Sequence, residues 1–246
     1  MITAIAYQQW LHLRCGLLFW LLLGFGQLLI AWLAFAQFET FAEIAPQLKA
    51  AGSNLGATEL VIVPTLNSLV LLLLVLVPLL AMGSLASESR SGRLEVWLTA
   101  PVHGYQVIVG KALGIWLASL PILAATLVTL VLLGLGIAID WRLYVLAATG
   151  LIALALWLSC ICLLFSTMLD HPAAALAASL GILVFLWLLD SFGEPGATWH
   201  RAALLPHVRP WLEGLLRSQD IAYFVVTGSA ALLLATYLFD RRRGIL

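Results

Sequence analysis

Six runs of apolar residues, each long enough to cross a bilayer and almost bare of charge, constrain this chain more than any other feature. A helix needs about 20 apolar residues to cross hydrocarbon roughly 30 Å thick. Such runs lie at about 17–35, 60–86, 110–137, 143–168, 173–189 and 223–239. Only 10% of the 246 residues are charged and 63% are hydrophobic, where a soluble domain carries about 25% charge. The fold class expected is an all-α membrane protein, a single transmembrane domain over residues 1–246. It has six transmembrane helices, an N-terminal interfacial helix, a short helix between spans 2 and 3, and short outer-side helices between spans 5 and 6.

The segments between the runs are read from their chemistry. Residues 1–14 form a helix with Gln8 and His12 on a narrow polar face and Ile2, Ala6, Trp10 and Leu13 opposite, suited to the membrane interface. A polar loop is expected from Gln37 to Glu59. Pro64, Asn67 and Pro78 lie inside the second span, where proline frees a carbonyl and Asn67 either bonds to a neighbouring helix or faces a conduit. Asp140-Trp-Arg142 and Asp170-His171-Pro172 read as tight turns. The stretch from Asp190 to Asp220 mixes Trp199, Leu204, Leu205, Trp211, Leu215 and Leu216 with His200, Arg201, His207, Arg209 and Arg217. Broken by Pro206 and Pro210, it reads as one or two interfacial or partly re-entrant helices.

An even number of spans puts both termini on one side. That side carries Arg14, Arg90, Arg93, Lys111 and Arg241 to Arg243, against Lys49, Arg142, Arg201, Arg209 and Arg217 on the other. The excess favours a cytoplasmic location for both termini.

Charge is concentrated between the second and third runs. Glu88, Arg90, Arg93, Glu95 and Lys111 stand close together, and ionisable groups of this kind do not sit cheaply in hydrocarbon. Leu94, Trp97 and Leu98 follow the i, i+3, i+4 spacing of an apolar helical stripe, and Pro101 ends the helix. Such a helix lies along a membrane surface or in the groove of another protein. The plainer alternative is a solvated loop joining two spans.

Glu88-Ser-Arg-Ser-Gly-Arg-Leu-Glu95, Thr99-Ala-Pro-Val102 and Gly110-Lys111, with Pro78-Leu-Leu-Ala-Met82 before them, resemble the signature of ABC-2 type transporter permeases. Arg93 departs from the threonine usual there. A second block also resembles the end of gliding-motility-type or copper-processing-type six-span permeases: Leu205-Pro206-His207, Leu212, Gly214, Arg217, Asp220, Tyr223-Phe224 and Asp240-Arg-Arg-Arg243. It departs at Leu205, at His207 directly after Pro206, and at Glu213-Gly214.

The resemblance implies a cytoplasmic coupling helix formed by Glu88, Arg90, Gly92, Arg93, Leu94, Glu95, Trp97, Leu98, Pro101, Val102, Gly110 and Lys111. Leu94, Trp97 and Leu98 would dock in an ATPase cleft, with Arg90, Arg93 and Glu95 fixing register. Pro206, His207, Trp211, Arg217 and Asp220 would form the outer-side segment. Two ATPase subunits would carry ATP and Mg, and this chain would bind no cofactor of its own. The other implied partners are a second permease copy, met through the first and fifth spans, an auxiliary membrane-anchored periplasmic protein, and membrane lipids. The location implied is the bacterial inner membrane.

Other chemistries find little support. Gly104 to Gly110-Lys111 has the wrong spacing for a phosphate-cradling loop, and Ala112 stands where a hydroxyl is needed. The neutral formal charge gives no nucleic-acid footprint. Cys160 and Cys162, two apart on a helix, diverge by about 200° and cannot jointly hold an ion. Cys15 completes an odd set with no disulfide framework. His200 and His207 read as surface groups, although a metal between them stays conceivable. An intramembrane enzyme or an ion-coupled carrier would need titratable groups at membrane depth, and the runs have almost none. The chain is expected to be a non-catalytic permease subunit driven by a separate ATPase, exporting a substrate or doing mechanical work. The alternative is a membrane scaffold that transmits force to an outer-side partner.

Overall fold

The computed structural model describes residues 1–50, 58–92, 97, 99, 101–133, 140–192 and 201–244. Among these residues every regular element is helical. The helices are α1 (Ile2–Arg14), α2 (Leu17–Ala50), α3 (Val63–Ala81), α4 (Ala86–Arg90), α5 (Gly104–Leu133), α6 (Trp141–Met168), α7 (Pro172–Phe192), α8 (Leu205–Leu212) and α9 (Ser218–Arg242). A π-helical turn, Thr58–Ile62, leads into α3.

Among the described residues six helical segments are long and apolar enough to span a membrane. The chain is a multi-pass membrane protein with both ends on one side, here called the terminal side. α3 and α6 form the interior. Their most apolar windows are 67% and 56% buried, against 39% or less in the other four. α6 packs against α3, α5, α7, α8 and α9. Exposed Leu21, Phe25, Leu28, Trp32 and Phe35 on α2, and Val225, Val226 and Leu233 on α9, are left for the bilayer.

Several boundaries differ from the sequence reading. The polar loop expected from Gln37 is helical through Ala50 in α2, despite Pro46. At about 1.5 Å per residue, a helix of 34 residues outruns the hydrocarbon by several turns. That lets Glu39 and Glu43 stay exposed without breaking the helix. The third span starts at Gly104 rather than Gly110, which places Gly110 and Lys111 inside a helix instead of at its threshold. Asp140-Trp-Arg142, expected as a tight turn, is instead the start of α6: Trp141 and Arg142 are helical and Asp140 stands before them, its carboxylate accepting from the backbone N–H of Arg142 at 3.0 Å and of Leu143 at 3.3 Å. That caps two amides at the start of α6.

Polar residues inside the spans mostly bond within or between helices. Gln27 on α2 donates to Thr129 Oγ1 at 2.5 Å and accepts from Thr126 Oγ1 at 3.4 Å, tying α2 to α5. Bonds of this kind hold helices together where lipid offers no partners. Asn67, expected to bond to a neighbour or face a conduit, is exposed on α3. The interhelical bond is not made within this chain among the described residues.

Candidate functional site

Among the described residues the terminal side holds one buried cation, Lys111, with α1, the α3–α4 turn and α4 around it. α1 lies across α5 in its most extensive helix–helix contact. Two glycines one turn apart on α5 make room for it. A Cβ at Gly110 would stand 2.8 Å from Ile5 Cβ, and one at Gly114 would stand 2.5 Å from Gln9 Cβ. Such a small-xxx-small notch is a recurrent way for membrane helices to approach closely.

Lys111 follows directly and is 1% exposed. Its Nζ donates to Glu88 Oε1 at 2.8 Å, to Ser84 O at 3.1 Å and to Gln9 Oε1 at 3.2 Å. It also sits 5.3 Å from the centre of the Trp97 ring, a favourable place for a cation. A buried charge is tolerated only when paired and hydrogen-bonded. Lys111 meets that condition by recruiting α1, the α3–α4 turn and α4 together. A cavity of about 200 Å³ lies beside it, lined by Ile5, Gln8, Gln9, His12, Glu88, Trp97 and Lys111.

α4 is fixed from its other side. Ser166 Oγ on α6 accepts from the N–H groups of Leu85 at 3.1 Å and Ala86 at 3.2 Å, satisfying amides at the start of a short helix. Ser89 donates to Asp170 at 2.8 Å, and Arg90 meets His171 at 3.2 Å. Arg242 reaches the same Asp170 oxygen at 2.8 Å. The Ser89 hydroxyl, and after it the Arg242 guanidinium, hold the Asp170 carboxyl below the usual carboxylate range. Arg243 donates to Val102 O at 2.5 Å and to Trp97 O. At Gly104 a Cβ would fall 2.0 Å from Asp240 Oδ1, so α5 begins hard against the end of α9.

The opposite side carries a second cluster. His207 on α8 places Nδ1 2.7 Å from Asp220 Oδ1, and its Nε2 donates to Arg201 O at 3.0 Å. The ring stacks on Tyr223 with centroids 4.2 Å apart, and the Tyr223 hydroxyl donates to Ala202 O at 3.0 Å. Asp220 is 3% exposed. Trp211 fills the space over Gly150, where a Cβ would meet its ring at 2.6 Å. Arg209 pairs with Asp190 at 3.4 Å. Cys160 and Cys162 are both buried on α6. Among the described residues no group of three His, Cys, Asp or Glu side chains gathers as a metal site; His200 lies outside them.

Residues 5–204 match the family model described as ABC-2 family transporter protein. The chain belongs to that family. It is a permease component of an ABC transporter, and the family implies a separate ATPase subunit and a lipid environment. No curated protein matches the chain.

The match takes in Gln9, Ser84, Glu88, Lys111, Ser166 and Asp170 of the permease and stops before the C-terminal block. Of the residues expected to couple to an ATPase, the structure brings Glu88, Trp97 and Lys111 together. Arg90, Gly92 and Pro101 are exposed, Val102 is half-buried, and Gly110 is buried in the notch. Arg93, Leu94, Glu95 and Leu98 lie outside the described residues. The expected faces of α1 are partly reassigned. Ile5, Ala6 and Gln9 are the buried residues, while Gln8 and His12 are exposed.

Sequence reasoning missed Gln9, Ser84, Ser166 and Asp170 as partners, because their bonds span up to 102 positions. One signal was available, the four-residue spacing of Gly110 and Gly114. On the opposite side, Pro206, His207, Trp211 and Asp220 gather at α8 and the start of α9, while Arg217 is exposed.

Proposed function

We propose that the terminal-side cluster is where a separate ATPase subunit pushes on the permease. The Glu88–Lys111 pair is the observation that carries this reading. It fastens the exposed end of α4, with Arg90 and Gly92, to a residue buried seven positions into the third span. Through Ser166 the same segment bears on α6, and through Asp170 on the α6–α7 turn and the end of α9. A displacement applied near residues 88–102 would reach several spans as one rigid push.

In this reading two permease copies work with two ATPase subunits, which bind ATP and Mg. Both termini lie in the cytoplasm of a bacterium, with the spans in its inner membrane, and the work drives export. An auxiliary periplasmic protein would meet the Asp190–Asp220 side. Trp97 is an anchor for the segment here, and the exposed Arg90 is offered to the partner.

The test is co-purification with the ATPase and reconstitution in vesicles. Gly92 has φ 74°, a conformation closed to proline, whose φ is near −65°. Gly92→Pro is expected to leave insertion intact and to break the link between ATP hydrolysis and transport. If neither Gly92→Pro nor Arg90→Glu alters assembly or ATPase activity, the assignment is wrong. Normal hydrolysis that depends on the permease but moves no substrate would favour the force-transmitting scaffold.

A further inference from the structure

We infer that the opposite-side end of α9 binds the anionic headgroup of a membrane phospholipid. A cavity of about 560 Å³ opens there, lined by Arg201, His207, Gln219, Ala222, Tyr223, Val226 and Thr227. Its volume is in the range of small-molecule sites. What matters is which of its polar groups are already used.

Both ring nitrogens of His207 are engaged, by Asp220 and by Arg201 O. The Tyr223 hydroxyl is given to Ala202 O. Thr227 donates to Tyr223 O and accepts from Trp157 Nε1 at 2.7 Å. Among the described residues this leaves two lining groups uncommitted, the Arg201 guanidinium and the Gln219 amide, both exposed. Gln219 stands in the first turn of α9, and Arg201 lies outside the spanning helices. Toward the membrane interior the wall is Ala222 and Val226, on the outward face of a spanning helix, and Val226 is 63% exposed.

One end therefore offers hydrogen-bond donors and a positive charge, and the other offers apolar surface. That is the pattern of an amphiphile with an anionic head, and a guanidinium fork suits phosphate oxygens. The surrounding charge agrees. Arg217 immediately precedes α9 and is exposed, while the acidic neighbours Asp220 and Asp190 face His207 and Arg209. Exposed Leu215 and Leu216 immediately precede Arg217, an arrangement that sits at headgroup level with apolar side chains dipping inward. A lipid explains both ends of the cavity, whereas a free phosphate explains one.

The experiment is native mass spectrometry of the intact permease taken from nanodiscs containing equal amounts of phosphatidylcholine and phosphatidylglycerol. Wild type is expected to retain phosphatidylglycerol preferentially. Arg201→Gln should lower that retention about tenfold, the loss expected for one charged hydrogen-bonding group. Gln219→Glu should also lower it, and serves if Arg201→Gln does not fold. Arg142→Gln, an exposed arginine on the same side, should leave it unchanged. Retention by Arg201→Gln equal to wild type would overturn the inference. So would an equal loss in Arg142→Gln, or displacement of the lipid by inorganic phosphate alone, which would make this a soluble-anion site.

Discussion

Lys111 shows how one residue sets the terms for its surroundings. Removing its charge leaves Glu88 facing a pocket with one carboxylate oxygen that already lacks a hydrogen-bond partner among the described residues. Breaking one half of a buried pair costs about 3–5 kcal/mol, while replacing both halves is far milder. Lys111→Met should therefore lower the unfolding midpoint in detergent sharply, and Lys111→Met with Glu88→Gln should recover much of the loss. Thermal melts of the two variants check this. Asp170 makes a pH-dependent case. Its carboxyl titrates below the usual value, held down by Ser89 and then by Arg242. A lowered folded value means that its stabilising contribution is present above the unfolded value of about 3.9 and is lost as pH falls through the folded one. The Arg242 tether should therefore hold at neutral pH and release only in acid, read as faster limited proteolysis of the end of α9. In Asp170→Ala the same speeding should be seen at neutral pH.

Among the elements, α1 is the one most dependent on absent side chains. Gly114→Val would drive a branched side chain into Gln9 and the backbone at Ala6, an overpacking of about 1–3 kcal/mol. Hydrogen exchange across residues 2–14 should speed up. Gly24→Ala, where an added Cβ meets nothing within 4 Å, should be neutral or stabilise by about 0.5–1 kcal/mol. The number of spans was legible because hydrocarbon thickness fixes the length of an apolar run, and such runs need no knowledge of their neighbours. The docking of α1 was not legible in the same way. Its amphipathic pattern identifies a surface helix, but Ile5 and Gln9 become buried only because Gly110 and Gly114, about a hundred positions later, leave a gap for them. Helix α2 shows the opposite failure. Glu39, Glu43 and Lys49 looked like loop chemistry, yet a helix that has left the membrane can carry polar residues on every face.

For the whole molecule, six spans place the two ends together, and the cysteines offer a direct check. Cys15 is exposed at the terminal side while Cys160 and Cys162 are buried. In the orientation proposed above, a membrane-impermeant maleimide should label the native permease once, at Cys15, and only from the cytoplasmic face. A Gln219→Cys variant should add a second label from the other face. Labelling of Cys15 from outside would invert the orientation. The part of the candidate site that motif spacing singled out and the structure brings together, Glu88, Trp97 and Lys111, is local in sequence; the portion it hid is held by groups from opposite ends of the chain. Arg243, in the last few residues, grips the backbone at Trp97 and Val102. A purification tag or fluorescent fusion appended there would hang from the very fastener that steadies the segment under study. One placed before Met1 would load the wedge formed by α1. Reporters for this permease are safer in the extramembrane stretch of α2, where Glu39 and Glu43 already face water.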